Sequence, residues 1–278
     1  MREKYLEVIN REPQKRITRY AAGIMGGTGF AVFFGCNVWD AIVALIVSVM
    51  IVAVGDWLAK RESNLMVYNA ILSFISEVII IVALKMGVAD HPDRIMIGIV
   101  MLLISGLGTT NGIRDLLQRD FISGFINIMN SFLGAAGIAF GIGLAIMLFH
   151  EGYSDHFILN HSVPIQLISC TVACTGFAFW FKIRGKQVWY NSIGAFFTWA
   201  IYVVVFALKP SNFLATMIAA VFVAFYAFIM SRVNKAPSTI FLTASVFPLI
   251  PGPNLYYVMY GCCLLYTSPS PRDYAASR

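Results

Sequence analysis

Apolar residues run along this chain in blocks of near-membrane length, separated by short polar segments. The blocks fall at about 19–36, 38–58, 66–86, 95–111, 121–149, 163–181, 188–208, 212–231 and 237–250, and a further one starts at 254. A helix needs about 20 apolar residues to cross ~30 Å of hydrocarbon. A membrane barrel would instead show short segments of alternating apolar and polar residues. The pattern predicts an all-α polytopic membrane protein with about ten transmembrane helices. Two blocks look interrupted. The fourth ends in Ser105-Gly106-Leu107-Gly108, and the ninth ends in Pro248 and then Pro251-Gly252-Pro253.

Composition supports this reading. Of the 278 residues, 59% are hydrophobic and 12% charged, the latter about half the share in a soluble domain. That excludes a soluble globular protein, and the apolar content excludes disorder. The net charge of +6 does not indicate nucleic acid, because the cations lie between apolar blocks. One side collects Arg2, Lys4, Arg11, Lys15, Arg16, Arg19, Lys60, Arg61, Arg114, Arg119, Lys182, Arg184, Lys186, Arg232 and Lys235, and the other only Lys85, Arg94 and Lys209. Positive charge collects on the cytoplasmic side, so the N-terminus is expected in the cytoplasm. Residues 1–18 read as a cytoplasmic lead-in, with no cleavable signal. Residues 262–278 carry Leu264-Leu265-Tyr266-Thr267-Ser268-Pro269 and read as a non-native, adapter-derived tail.

The chain also repeats itself. Gly29-Phe30-Ala31-Val32-Phe33-Phe34 resembles Gly176-Phe177-Ala178-Phe179-Trp180-Phe181 at an offset of 147, and Leu103-Ile104-Ser105-Gly106 resembles Leu249-Ile250-Pro251-Gly252 at 146. Five spans per copy is an odd number, so the second copy must enter the membrane from the opposite side. The expectation is a 5+5 inverted-topology repeat, 19–149 and 150–261, with broken helices four and nine. Secondary transporters are commonly built in this way.

The segment Gly108-Thr109-Thr110-Asn111-Gly112-Ile113-Arg114-Asp115-Leu116-Leu117, followed by Asp120-Phe121-Ile122-Ser123-Gly124, resembles the TN-x-I-R-D-L-L signature of the threonine/serine exporter family. Phe247-Pro248-Leu249-Ile250-Pro251-Gly252-Pro253-Asn254-Leu255-Tyr256-Tyr257 is similar to the P-L-x-P-G-x-x-x-Y motif of that family's C-terminal domain. Both in one chain resemble the fused form, over about residues 15–261. Departures are Ser105 where the family usually has Pro, Arg119 where it has Gly, and shortened ends. The resemblance implies a proton-driven antiporter that exports threonine and serine across a prokaryotic plasma membrane. Relatives with split halves are associated with dicarboxylates such as succinate, so that substrate stays open.

Glu77, near the middle of the third span, is the sharpest chemical signal. A carboxylate at that depth costs several kcal/mol as an anion, which suits a group that takes up and releases a proton. Its repeat equivalent falls near Val223, so the halves are chemically unequal. Candidate substrate-binding residues are Gly106, Gly108, Thr110, Asn111, Arg114 and Asp115 at the first break, and Pro251, Gly252 and Asn254 at the second. Broken helices leave amides and carbonyls free for a zwitterion, and Arg114 could grip a carboxylate. The bland alternative is a positive-inside anchor and an ordinary loop.

Asp40 and Asp56 are expected at the interfaces, and Asn69 and Asn127 to line a polar path or to bond helices. The small-residue run Gly134, Gly137 and Gly141 is expected to serve close packing, and Cys36, Cys170 and Cys174 to be core residues. His150, Glu151, Asp155, His156 and His161 have no metal-ligand spacing. The sequence has no nucleotide-binding loop and no nucleophile–base pair, so neither an enzyme nor a cofactor is expected. Competing readings are an uncoupled uniporter or channel, a membrane-embedded enzyme and an accessory subunit. The expected partners are the small-molecule substrate, protons and the bilayer, without nucleic acid; the sequence leaves a homo-oligomer open.

Overall fold

The computed structural model describes residues 15–104, 106–149, 162–250, 258 and 261. Among these the chain is helical throughout, without strands. The helices are α1 (Arg16–Phe33), α2 (Val38–Leu58), α3 (Leu65–Lys85), α4 (Pro92–Leu103), α5 (Gly106–Leu117), α6 (Phe121–Phe149), α7 (Val163–Trp180), α8 (Lys186–Leu208), α9 (Asn212–Asn234) and α10 (Ser238–Ser245), followed by a 3-10 turn, Phe247–Leu249. Six of them, α2, α3 and α6–α9, are long and apolar enough to cross a membrane.

Local chemistry sets the ends. Gly35, at φ +103°, turns the chain after α1. Asn37 and Asp40 form a reciprocal capping box at the start of α2, satisfying amides that a helix N-terminus leaves open. Asn64 accepts from Met66 N at 2.9 Å to start α3, and Pro92 opens α4, where its missing N–H costs nothing. Lys235, in the left-handed region at φ 48°, ends α9.

The expected spans at 38–58 and 121–149 coincide with α2 and α6. The fourth does not remain one helix to 111. It stops at Leu103, Ile104 turns extended with ψ 127°, and a new helix begins at Gly106. The ninth is also shorter than expected. α10 stops at Ser245, and the chain tightens into the turn that holds Pro248. Proline lacks the N–H that would continue the helical ladder.

Small residues decide which helices meet. α1 and α7 cross antiparallel at the centre: a Cβ on Gly29 would lie 2.9 Å from Ala173, and one on Gly176 would lie 2.5 Å from Gly26 N. α4 comes equally close, where a Cβ on Gly98 would lie 2.5 Å from Ala31 N. In the N-terminal half α1 packs on α2 and α4, and α3 packs on α2, α4 and α6. In the C-terminal half α7 packs on α8 and α10, and α9 packs on α8 and α10. Large apolar side chains such as Phe125, Phe132, Phe140, Phe225 and Phe228 point outward, as they would toward acyl chains.

Candidate functional site

The C-terminal end of α4 and the 3-10 turn after α10 both reach the α1–α7 crossing. Leu102, one residue before the end of α4, reaches the Cβ positions of Gly26 and Gly27 on α1. Phe247, opening the 3-10 turn, stacks on Phe177 with ring centroids 4.2 Å apart and lies 6.4 Å from Phe30. Phe30 meets Phe177 edge-on at 5.5 Å, and Phe33 meets Trp199 at 4.6 Å. Phe30, Phe33, Phe177 and Phe247 are all buried, so the rings close the centre. Sequence reasoning saw the two Gly-Phe strings as a repeat, not as a contact.

Glu77 lies at the same depth. Gly27 faces Ser48 on α2, and Gly55 on α2 faces Tyr68 and Leu72 on α3. Seven residues back from Gly55 is Ser48, and seven residues on from position 70 is Glu77, so antiparallel packing sets the two level. Glu77 is fully buried, as are Ser48, Ser73 and Ser76, and Asn69 is 2% exposed. Asn69, Ser73, Ser76 and Glu77 recur at helical spacing and share one stripe of α3. The spacing was readable in the sequence, although only Asn69 and Glu77 stood out there.

That stripe packs on the small residues of α6. Asn69 Nδ2 donates to Gly134 O at 3.1 Å, so it bonds helices. A Cβ on Gly137 would strike the Met66 carbonyl, and one on Gly141 would strike Ser73 Oγ and Ala70 O. The small-residue run therefore serves close packing. Ser73 and Ser76 donate to Ala70 O and Leu72 O within α3, at 3.2 and 2.7 Å.

The first motif lies elsewhere. α5 packs on α6, and Asp115 Oδ2 accepts from Ser123 Oγ at 3.1 Å and Asn127 Nδ2 at 3.0 Å. Asn127 precedes Gly141 by fourteen residues of one helix, roughly 21 Å at 1.5 Å per residue. Asp115 is thus far from Glu77, which lies a turn beyond Ser73. Asn111 is exposed. Gly106, Gly108, Thr110 and Arg114 belong to α5. Pro251, Gly252, Asn254, the cluster His150, Glu151, Asp155, His156 and His161, and the tail 262–278 lie outside the described residues.

Asp40, in the capping box at the start of α2, is wholly buried within the protein. The close packing of the α3–α4 connection over the α2 cap removes it from water. Its carboxylate accepts from the backbone N–H groups of Asn37, Asp90 and His91 at 3.2, 2.8 and 3.2 Å, with His91 Nδ1 3.0 Å away. Asp56 pairs with Arg19, whose guanidinium lies 5.8 Å from the Trp180 ring centroid and so links α1, α2 and α7. Cys36, Cys170 and Cys174 are buried free thiols. Burial pushes the Cys36 thiol well above its ordinary pKa, with the Asp40 carboxylate adding to the shift. Among the described residues no group of His, Cys, Asp or Glu could hold a metal.

A groove of about 390 Å³ runs between α1 and α7, lined by Met25, Thr28, Val32, Ile165, Ile168 and Val172. Its walls are almost wholly apolar, and Ile168 is 65% exposed. A zwitterion would lose its hydration there without replacement, so the groove does not fit such a substrate.

The fold and this buried carboxylate define a multi-pass helical membrane protein. The threonine/serine exporter model ThrE matches residues 2–149, and the model described as Threonine/Serine exporter, ThrE, matches residues 166–270, running into the segment read as a non-native tail. The chain belongs to the threonine/serine exporter family. The Threonine/serine exporter of Corynebacterium glutamicum is 23% identical over 279 residues, covering 93% of this chain and 55% of that protein. The chain therefore spans about half the length of the curated relative it matches. No solved structure matches it. That family is one of membrane exporters.

Proposed function

We propose that the protein is a secondary exporter of threonine and serine, driven by the proton gradient of a prokaryotic plasma membrane, with its N-terminus in the cytoplasm. The observation that carries this reading is the complete burial of Glu77 at the depth where the two interruptions converge. Glu77 takes a proton from the outer side and releases it inward, and each transfer accompanies a switch in the side to which the site opens. The substrate ammonium and carboxylate meet backbone groups at the breaks: Gly106, Gly108 and Thr110 from one motif, Pro251, Gly252 and Asn254 from the other. Asn111 and Arg114, further along α5, receive the substrate carboxylate at the cytoplasmic mouth.

The switch is the exchange of two inverted five-span halves, with α4 and α5 forming one broken span. The packing order supports this: α1–α4 and α7–α10 make the same neighbour contacts. The central contacts support it too. Shifting by 147 residues turns Gly26 into Ala173 and Gly29 into Gly176, so the contacts Gly26–Gly176 and Gly29–Ala173 exchange with each other. A two-fold axis in the membrane plane generates such a pair.

Threonine efflux from preloaded proteoliposomes tests the reading. Wild type is expected to export faster with an inward proton gradient and to lose that gain with an uncoupler. Glu77→Gln is expected to be insensitive to both. Wild-type export indifferent to the gradient would mark a uniporter. Export of succinate but not threonine would move the substrate to dicarboxylates.

A further inference from the structure

The α5–α6 hairpin holds a carboxylate that the transport cycle above does not use. Asp115 accepts two hydrogen bonds on one oxygen, both from α6, at 3.1 Å from Ser123 and 3.0 Å from Asn127. Ser123 and Asn127 are one turn apart and share a face of α6. Beside them the backbones nearly touch: a Cβ on Gly124 would lie 2.8 Å from both Gly112 O and the Leu116 side chain. α5 has no comparably extensive contact with any other described helix. Its register against the protein therefore depends on this seam. α6 in turn is tied to α3 by Asn69 on Gly134, seven residues beyond Asn127 on the same face.

We propose that Asp115 is a positioning residue. It pins α5 to α6, and so sets where the helix resumes after the end of α4, without itself touching substrate. The seam needs a hydrogen-bond acceptor, not a charge. Distance argues the same way, since a molecule the size of threonine cannot reach both Asp115 and the depth of Glu77, well over 20 Å along α6 by helical rise. The proposal rests on the exporter reading only for its transport readout.

Three variants separate the roles. Asp115→Asn keeps an oxygen that can accept from both donors and removes the charge. Asp115→Leu removes both. Ser123→Ala with Asn127→Leu removes the donors and leaves the carboxylate. Losing both hydrogen bonds between these helices is expected to lower the maximal export rate about tenfold. The expected result is that Asp115→Leu and the double variant fall by about that factor with unchanged half-saturation, a pattern that excludes lost ground-state binding. Asp115→Asn is expected to fall by less than about threefold. Spin labels at Leu117 and Phe132, both exposed, give a second readout that needs no transport. Their distance distribution should broaden in Asp115→Leu and the double variant and stay narrow in Asp115→Asn. A raised half-saturation in Asp115→Asn with a narrow distribution would make Asp115 an ammonium ligand and overturn the proposal. A double variant with full export and a narrow distribution would overturn it as well. If Asp115→Leu does not reach the membrane, the Asn and double variants still decide. If no variant exports threonine, wild type included, the exporter reading fails and the distances alone decide the seam.

Discussion

α3 and α9 occupy corresponding places in the packing, each lodged between the helix before it and the shorter helix after it. Their buried stripes are not alike. α3 buries Asn69, Ser73, Ser76 and Glu77 beside Leu72, Ile80 and Ile81, whereas α9 buries only Ala215, Ala219, Val223 and Ala227. Residues four apart lie on one face in both, so the geometry is shared. Only the chemistry differs: one stripe is polar and ionisable, the other small and apolar. The comparison separates two demands on a membrane helix. Close approach requires small side chains, which either stripe can supply. The proposed proton coupling needs an ionisable group, and burying a carboxylate is costly enough that one copy suffices.

The largest test of this difference moves the carboxylate. Glu77→Gln is expected to cut proton-driven threonine export about a hundredfold, the scale of removing a positioned proton-transfer group. Adding Val223→Glu to it should not restore gradient-driven export in proteoliposomes; restoration would make the two stripes interchangeable. The aromatic centre comes next. Phe177→Ala should destabilise the protein by about 3 kcal/mol, as emptying a packed aromatic site does, read as a lower melting temperature in detergent. Phe225→Ala, at a residue of α9 that is 65% exposed, should change stability by less than about 0.5 kcal/mol. Third, Gly137→Leu should cost about 2 kcal/mol, because the atom in its way is the Met66 carbonyl, a backbone group that cannot rotate aside. Ala224→Leu on the exposed side of α9 is the control and should melt like wild type. The smallest effect expected is that of Asn69→Leu, about 0.6 kcal/mol for one hydrogen bond between membrane helices. A loss several times larger would mean that the α3 stripe acts as a unit.

The limits of the sequence reading show in particular residues. The bounds of α2 and α6 were legible because each is one unbroken apolar run. The break after Leu103 was legible as a Gly-Ser string but not to the residue, because Gly106 and Gly108 are as compatible with a new helix as with a loop. The burial of Asp40 was not legible, because it depends on Asp90 and His91, fifty residues away in sequence. The hydrogen bonds of Asp115 were not legible, because Ser123 and Asn127 sit across a hairpin that the pattern did not reveal.

By itself the sequence determined the helical membrane class, the bounds of its unbroken apolar helices such as α2 and α6, the family and the place of the buried carboxylate in α3. These follow from local physics, since hydrocarbon demands long apolar helices and makes any ionisable residue within them conspicuous. Only the tertiary structure decided that Phe30, Phe177 and Phe247 meet, that the end of α4 reaches the same place, that Glu77 lies at their depth and that Asp115 is held by α6. Those are matters of which helix packs on which. They depend on close approaches at Gly26, Gly29, Gly98 and Gly176, between segments up to about 150 residues apart, where no local pattern records the partner.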